Sequence, residues 1–229
     1  MIDDPLHHGW DLTVARARDL QLALRERVDP QAPPAFAPRT VAGADVSVER
    51  FATRGYAGIV TLDVATMETV EAATSVAELK MPYVPGYLSF RELPALDGAW
   101  RKLTARPDVV IFDGQGYAHP RRFGIACHGG VRWDVPTIGC AKSILVGTHG
   151  ELAPERGSVA PLVHAGETVG MAVRTRDGVN PVYVSPGHRM DLDTAVRIVL
   201  AVSPKYREPE TTRRSHRLVN DARRADRGA

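Results

Sequence analysis

Cysteine is scarce in this sequence: the 229 residues include only Cys127 and Cys140. Two isolated cysteines cannot form a disulfide framework, and they lack the spacing of a zinc site. No apolar run is long enough to cross a membrane, and the first ten residues, MIDDPLHHGW, lack the basic and apolar regions of a signal peptide. We therefore expect a reduced, soluble, cytoplasmic protein with no membrane partner.

An excess of either charge is also missing, since 29 Lys and Arg face 27 Asp and Glu. This balance neither requires nor excludes a nucleic-acid partner, so the position of the charge matters more than its sum. The basic tail, about residues 207–229, is the clearest local excess. We expect it to wrap over the surface and to end in disorder, and phosphate contact is one role open to it.

The remaining pattern favours a single α/β domain spanning residues 1–229. A helix capped by Asp11 is predicted to run to about Val28, followed by a proline-rich linker over 29–38. Three strands, 40–48, 58–64 and 70–79, have short connections and are predicted to form an antiparallel meander. Later strands are predicted at 109–112, 136–140, 158–163, 168–174 and 181–184, with a helix from Asp191 or Asp193 to about Val202.

The segment 109–143 carries most of the chemistry. Its four apolar residues predict a short buried strand that ends at Asp113, where Gly114 permits a sharp turn. The carboxyl end of a buried strand is a common place for functional groups in α/β proteins. An ordinary capping Asp and a polar loop would explain the same residues, so this stretch needs support from the rest of the chain.

Two further carboxylates provide that support. Asp45 lies within an otherwise apolar strand, where an ionised group is costly unless it is paired or binds a metal. Glu92 follows Ser89 at capping-box spacing in a helix predicted to run to about Leu103, so a capping role is the alternative for it. If Asp45, Glu92 and Asp113 converge, their repulsion requires a hard cation, which favours Mg²⁺, with Mn²⁺ as a substitute.

Two more residues would complete a phosphodiester-cleaving site. Lys142, at the end of a predicted strand, could stabilise charge in the transition state. His188, before the last predicted helix, could orient or deprotonate a water. A separate feature is the tip at 82–85, where Pro82 and Pro85 hold Tyr83 and Val84 in a stiff, extended conformation.

Together with the segments around them, these residues resemble those of the endonuclease V (deoxyinosine 3′ endonuclease) family. The matching segments, in the family's order, are VAGADVSVE (41–49), PYVPGYLSFRELPAL (82–96), VVIFDGQGYAHPRRFGIACHGGV (109–131), PTIGCAKSILVG (136–147) and NPVYVSPGHRMDLDTAVRIVL (180–200). The resemblance implies a ribonuclease-H-like fold, in which helices flank a central mixed sheet. It also implies Mg²⁺-dependent nicking of DNA at the second phosphodiester bond 3′ to hypoxanthine, with inosine-containing RNA cut by some members.

The resemblance assigns roles by position. It implies metal-binding carboxylates and an active-site Lys and His, which match Asp45, Glu92, Asp113, Lys142 and His188. The tip Pro82-Tyr83-Val84-Pro85 matches a wedge that fills the gap left by the flipped lesion base, which agrees with its stiffness. Gly116 and Leu145 match positions around the base pocket, and His119 fits a contact near the scissile strand.

Four positions depart from the family pattern as we expect it. Gly129 replaces a bulkier apolar residue and Ile144 an arginine, while Glu208 and Thr211 replace an apolar residue and a proline. The change at Ile144 puts one contact to the nucleic-acid backbone in doubt and leaves the catalytic set intact.

The sequence is compatible with two alternatives. One is a ribonuclease-H-like nuclease that acts on another substrate, such as inosine-containing RNA, an RNA–DNA hybrid or a branched junction. The other is a module that binds inosine-containing nucleic acid without cutting it, and we would expect such a module to lack one or more of the carboxylates. In each case we expect a monomer.

Overall fold

The computed structural model describes residues 4–48 and 53–227. Eight strands form one mixed sheet in the order β3-β2-β1-β4-β5-β8-β7-β6. Their bounds are β1 Thr40–Val48, β2 Arg54–Asp63, β3 Thr69–Glu78, β4 Val109–Phe112, β5 Thr137–Ala141, β6 Val159–His164, β7 Glu167–Val173 and β8 Val182–Pro186. The predicted α/β class and ribonuclease-H-like arrangement are confirmed.

Five α-helices flank this sheet in the described ranges, and a short 3₁₀ helix, Pro5–His7, precedes them. The helices are α1 Val14–Arg25, α2 Leu88–Lys102, α3 Ile125–Trp133, α4 Leu192–Ala201 and α5 Glu210–Arg227. One face of the sheet packs against α2 and α3 around residues such as Leu93, Leu96 and Phe112. The other face packs against α4 around Val41, Ile111 and Ile198.

The antiparallel meander of β1, β2 and β3 is confirmed. β2 begins at Arg54, earlier than predicted, so it includes part of the turn predicted at 51–57, and residues 51 and 52 of that turn lie outside the described residues. The first helix also begins later than predicted. Its N-cap is Thr13, whose hydroxyl accepts the Arg16 N–H at 3.2 Å, so the cap assigned to Asp11 was wrong.

The capping box predicted at Ser89 and Glu92 is wrong as well. α2 begins one residue before Ser89, and its N-cap, Tyr87, makes no side-chain cap. Ser89 is inside the helix and buried, where its hydroxyl contacts Nδ1 of His128 at 3.0 Å. The structural explanation for Glu92 therefore disappears, and its carboxylate is left for another role.

The largest correction concerns the basic tail. Instead of wrapping the surface as an irregular segment, it forms the 18-residue helix α5, which packs on β1 and β2. A Cβ on Gly43 of β1 would overlap the backbone of Thr211 and Thr212, so glycine permits this close approach. Of the predicted disordered end, residues 228 and 229 lie outside the described residues.

Candidate active site

Three strands present polar side chains at one edge of the sheet. β1, β4 and β5 are mutually parallel, and Ala44 is in register with Phe112, so Asp45 and Asp113 follow on neighbouring strands. Lys142 follows β5 at the same edge. Because parallel strands place their carboxyl ends together, the fold brings all three side chains to one location.

Glu92 approaches this edge from α2. Burial, followed by the charges of Asp45 and Asp113, raises the pKa of Glu92 from 4.5 to about 8. Burial and the Asp113 charge also raise the pKa of Asp45, although its hydrogen bond to His216 opposes the shift. Burial and the neighbouring acids thus both favour the protonated forms of Glu92 and Asp45.

One cationic and one potentially cationic side chain contact carboxylate oxygens of this cluster. Lys142 Nζ lies 2.6 Å from Asp113 Oδ2 and 3.2 Å from Glu208 Oε2. Burial lowers the pKa of Lys142, but the negative charges of Asp113 and Glu208 together have the larger effect, so the pKa of the lysine is raised. On the other side, His216 Nδ1 lies 2.8 Å from Asp45 Oδ2.

His216 is a site residue that the sequence interpretation missed. It lies on α5, and it faces the side of β1 that also carries Gly43 and Ser47; Ser47 Oγ bonds Asn220 of the same helix. The polar alternation of Gly43, Asp45 and Ser47 was the available signal. It indicated a strand face that a polar helix could cover, but the tail was not recognised as that helix.

The structure does not bring His188 to the carboxylates. β8 runs antiparallel to β5, so the residues after β8 lie where β5 begins, at the edge opposite Lys142. There the His188 main chain exchanges hydrogen bonds with Thr137, and its Nδ1 accepts the Asp29 N–H at 3.1 Å. The active-site role predicted for His188 therefore has no geometric basis.

The carboxylate oxygens of Asp45, Glu92 and Asp113 are suitable ligands for a hard divalent cation. Their side chains are not yet oriented around a common metal position. Within residues 4–48 and 53–227, no three His, Cys, Asp or Glu side chains are arranged as a ready-made metal site. The Glu92 carboxylate has no hydrogen-bond or ion-pair partner in the same ranges, and its pKa is raised by the other two acids. A cation that neutralised the three oxygens would remove this repulsion, provided that Lys142 yielded its place on Asp113.

The predicted wedge projects beside this edge. Tyr83 is 68% exposed, and Pro82 and Pro85 on either side of it are exposed as well. Gly86, the residue that follows the tip, is held in place through its carbonyl oxygen. This oxygen accepts hydrogen bonds from Gln21 at 3.0 Å and from Arg121 at 2.8 Å.

His119 makes the third contact to that carbonyl and is almost fully buried. The Arg121 N–H donates to His119 Nδ1 at 3.1 Å, which leaves Nε2–H to donate to Gly86 O at 3.0 Å. Burial lowers the pKa of His119 to about 4, in agreement with a neutral ring. The structure thus places His119 beneath the predicted wedge, where it contacts the Gly86 carbonyl, while its predicted contact near the scissile strand stays a prediction.

A cleft of about 310 Å³ connects the wedge with the acidic edge. Tyr83, Val84, Leu145, Asp113 and Lys142 are among its lining residues. Gly116 is not one of its described lining residues. A Cβ at Gly116 would overlap the carbonyl of Pro186 in β8, so the glycine permits close packing there. A larger cavity of about 640 Å³ includes none of the predicted site residues among its described lining.

The family model described as Endonuclease V matches residues 22–217 of this chain. The chain belongs to the endonuclease V family. It is 63% identical over 217 residues to Endonuclease V of Myxococcus xanthus (strain DK1622), and the alignment covers 95% of this chain and 92% of the relative. As a member of this family, the protein is an endonuclease.

Solved endonuclease V structures share the fold. Endonuclease V from Streptomyces avermitilis superposes with a TM-score of 0.89 at 45% identity, covering 95% of this chain and 96% of the other. Endonuclease V of Ciona intestinalis, crystallised with a 24mer DNA containing an inosine followed by a ribo-adenosine, gives a TM-score of 0.81 at 26% identity, covering 93% and 98%.

The four residues that differ from the expected endonuclease V pattern, at positions 129, 144, 208 and 211, have different surroundings in the structure. The ring of Phe112 fills the space that a Cβ on Gly129 would need, which accounts for the small residue. Ile144 is 38% exposed and lines the cleft. Thr211 is fully buried against β1, and Glu208 contacts Lys142.

Among the described residues, no helix is long and apolar enough to cross a membrane. Cys127 and Cys140 are both buried and free.

Proposed function

We propose that this protein is a Mg²⁺-dependent deoxyinosine 3′ endonuclease. It recognises hypoxanthine in DNA, nicks the second phosphodiester bond 3′ to the lesion and thereby initiates repair; Mn²⁺ is a substitute cofactor. The observation that carries the proposal is the cleft that joins an exposed, braced Tyr83 to Asp113 and Lys142. The inosine-containing DNA in the Ciona intestinalis structure supports this substrate.

The wedge provides lesion recognition. A base can leave a duplex only if the unstacking cost is offset, and a stiff aromatic tip can occupy the vacated space. The tip around Tyr83 is stiff because three side chains hold the carbonyl of Gly86. The flipped hypoxanthine then enters the cleft beside Leu145, a few residues along the chain from Lys142.

Asp45, Asp113 and Glu92 would hold the divalent cation. Bound there, the cation supplies Lewis-acid polarisation of the phosphate and lowers the pKa of a bound water. Lys142 provides a fixed positive charge for the oxygens of the scissile phosphate. His216 Nδ1 lies 2.8 Å from Asp45 Oδ2, and in the tautomer that donates from Nδ1 to this oxygen, Nε2 is left to accept a proton from the attacking water.

The test is cleavage of an end-labelled duplex that carries one inosine, in Mg²⁺ and then in EDTA. We expect a nick at the second bond 3′ to the inosine in Mg²⁺ only, and no nick in an undamaged duplex. Asp113→Asn should abolish the nick while it leaves binding of the inosine duplex intact. Binding without any Mg²⁺-dependent cleavage by the unchanged protein would support the non-cleaving module instead.

Inosine-containing RNA is the second candidate substrate. The DNA in the Ciona intestinalis complex has a ribo-adenosine after the inosine, which favours a ribonucleotide next to the lesion as a substrate feature. The same assay with a matched RNA strand gives the DNA-to-RNA rate ratio. We propose a monomer as the active form, which sedimentation of the protein alone tests.

A further inference from the structure

Lys142 has two carboxylate partners, and one of them is outside the three-acid cluster. Its Nζ lies 2.6 Å from Asp113 Oδ2 and 3.2 Å from Glu208 Oε2. Glu208 occupies a position where the family resemblance led us to expect an apolar residue. The nearby Glu210 does not compete for this lysine, because it is engaged by Arg213 and Arg214 on its own helix.

The segment that carries Glu208 is firmly fixed. Arg207 donates to the carbonyl oxygens of Asn180 and Pro181, and Thr175 Oγ1 donates to the Arg207 carbonyl at 2.6 Å. Arg207 also donates to the backbone carbonyl of Lys142 at 2.8 Å. Residues 207 and 208 therefore hold Lys142 at its main chain and at its side chain together.

A conflict arises at Asp113 when a divalent cation binds. Asp113 would then share its carboxylate between the cation and the Lys142 ammonium, which lies 2.6 Å from Oδ2, and two positive groups on one carboxylate repel each other. A lysine with no other partner would either resist the cation or leave the site on its flexible stem. Glu208 offers the ammonium a second anchor within 3.2 Å of its present position.

We propose that Glu208 is a positioning residue, which retains the Lys142 ammonium beside the acidic edge when a divalent cation takes over Asp113. The inference rests on the proposed function and deepens it. It predicts that Glu208 promotes both cation binding and turnover, and that it does so through Lys142.

Calorimetric titration of the full-length protein with Mg²⁺, and separately with Mn²⁺, tests whether Glu208 promotes cation binding. Glu208→Gln should weaken cation binding about tenfold, the size of a coupling between neighbouring charged groups. Glu208→Asp should restore part of the loss. In a Lys142→Met background, Glu208→Gln should change the affinity less than about twofold, because the lysine through which it acts is gone.

The effect of Glu208 on turnover is measured as cleavage of the inosine duplex at saturating Mg²⁺. There Glu208→Gln should lower kcat while leaving KM for the duplex unchanged. Glu151→Gln, the same charge change at an exposed loop position, is the matched control and should alter neither quantity. Circular dichroism and thermal unfolding of each variant confirm that the fold is retained.

The outcomes separate this inference from the proposed function. A wild-type protein that binds no Mg²⁺ and cuts no inosine duplex overturns the proposed function and this inference with it. A wild-type protein that does both, beside a Glu208→Gln variant with unchanged affinity and kcat, overturns only the positioning role. An equal loss of affinity in the presence and absence of Lys142 overturns it too, since Glu208 would then act as a nearby negative charge.

Discussion

The acidic cluster should make the metal-free protein less stable than a variant in which one of its acids is replaced by an amide. The pKa of Glu92 is 4.5 in the unfolded reference and about 8 in the folded protein. Between those values the unfolded chain releases a proton that the folded chain keeps, so stability is lost as the pH rises through this window. Glu92→Gln removes the titrating carboxyl group, so the pH-dependent loss of stability should disappear with it.

The magnitude follows from the pKa shift. Each pH unit above 4.5 costs about 1.4 kcal/mol until the folded pKa is reached. At pH 7 the accumulated cost is about 3 kcal/mol, a large share of the stability of an ordinary domain. At pH 5 it is below about 1 kcal/mol, so the two proteins should then have nearly the same free energy of unfolding.

Urea unfolding in EDTA at pH 5, 6, 7 and 8 measures this difference. We expect Glu92→Gln to become progressively more stable than the wild type as the pH rises. Addition of Mg²⁺ should narrow the gap, because a cation bound only by the folded wild type stabilises it by mass action. The exposed Glu151→Gln variant should follow the wild type at every pH. Equal unfolding free energies for wild type and Glu92→Gln at pH 8, or a less stable variant, would refute the electrostatic interpretation of the cluster.

The remaining predictions concern individual residues. His216→Ala should lower kcat for inosine cleavage about 100-fold or more, whereas His188→Ala should lower the urea midpoint and leave kcat of the folded protein near that of wild type. Tyr83→Ala should reduce the preference for inosine over normal duplex more than it reduces cleavage of single strands; equal losses would count against a wedge. Gly43→Ala should lower the unfolding free energy by about 1–3 kcal/mol, because the new methyl group overlaps α5. Arg217→Gln should reduce the salt slope of duplex binding by about 0.9 if this exposed arginine contacts a phosphate, and an unchanged slope would exclude that contact.

The elements that could be predicted are those with local signals. The four apolar residues before Asp113 and the alternation around Asp45 identified two strands, and the parallel pairing of β1 with β4 makes their carboxylates neighbours. The signal for the exposed tip at 82–85 was equally local, since two prolines restrict the residues between them, while its role as a wedge stays a prediction. In each case a few adjacent residues contained the information.

The errors have a common physical origin in long-range arrangement. Nothing in residues 182–188 shows that β8 runs antiparallel to β5, and this direction alone moves His188 to the far edge of the sheet. Ser89 and Glu92 have capping-box spacing, but packing against His128 draws Ser89 into the helix. Spacing along the chain could not reveal either contact.

Helix α5 was missed for a different reason. Its buried side is made largely of small polar residues, such as Thr211 and Ser215, in place of the large apolar residues that mark an amphipathic helix. These small residues fit because β1 offers Gly43 at the point of closest approach. Part of the signal thus lay on the strand, and part lay in the spacing of Thr211, Ser215 and Val219 among the arginines of α5 itself.

The position of α5 in the chain also bears on protein synthesis. Every other helix and strand of the described structure precedes it, and domains fold progressively as the chain emerges from the ribosome. A nascent chain that ends before Glu210 already carries the three acids and the tip around Tyr83, but it lacks His216 and leaves one face of β1 and β2 uncovered. A chain that ends there would therefore leave strand residues of β1 and β2 exposed, which favours aggregation, and it would lack the His216 contact to Asp45.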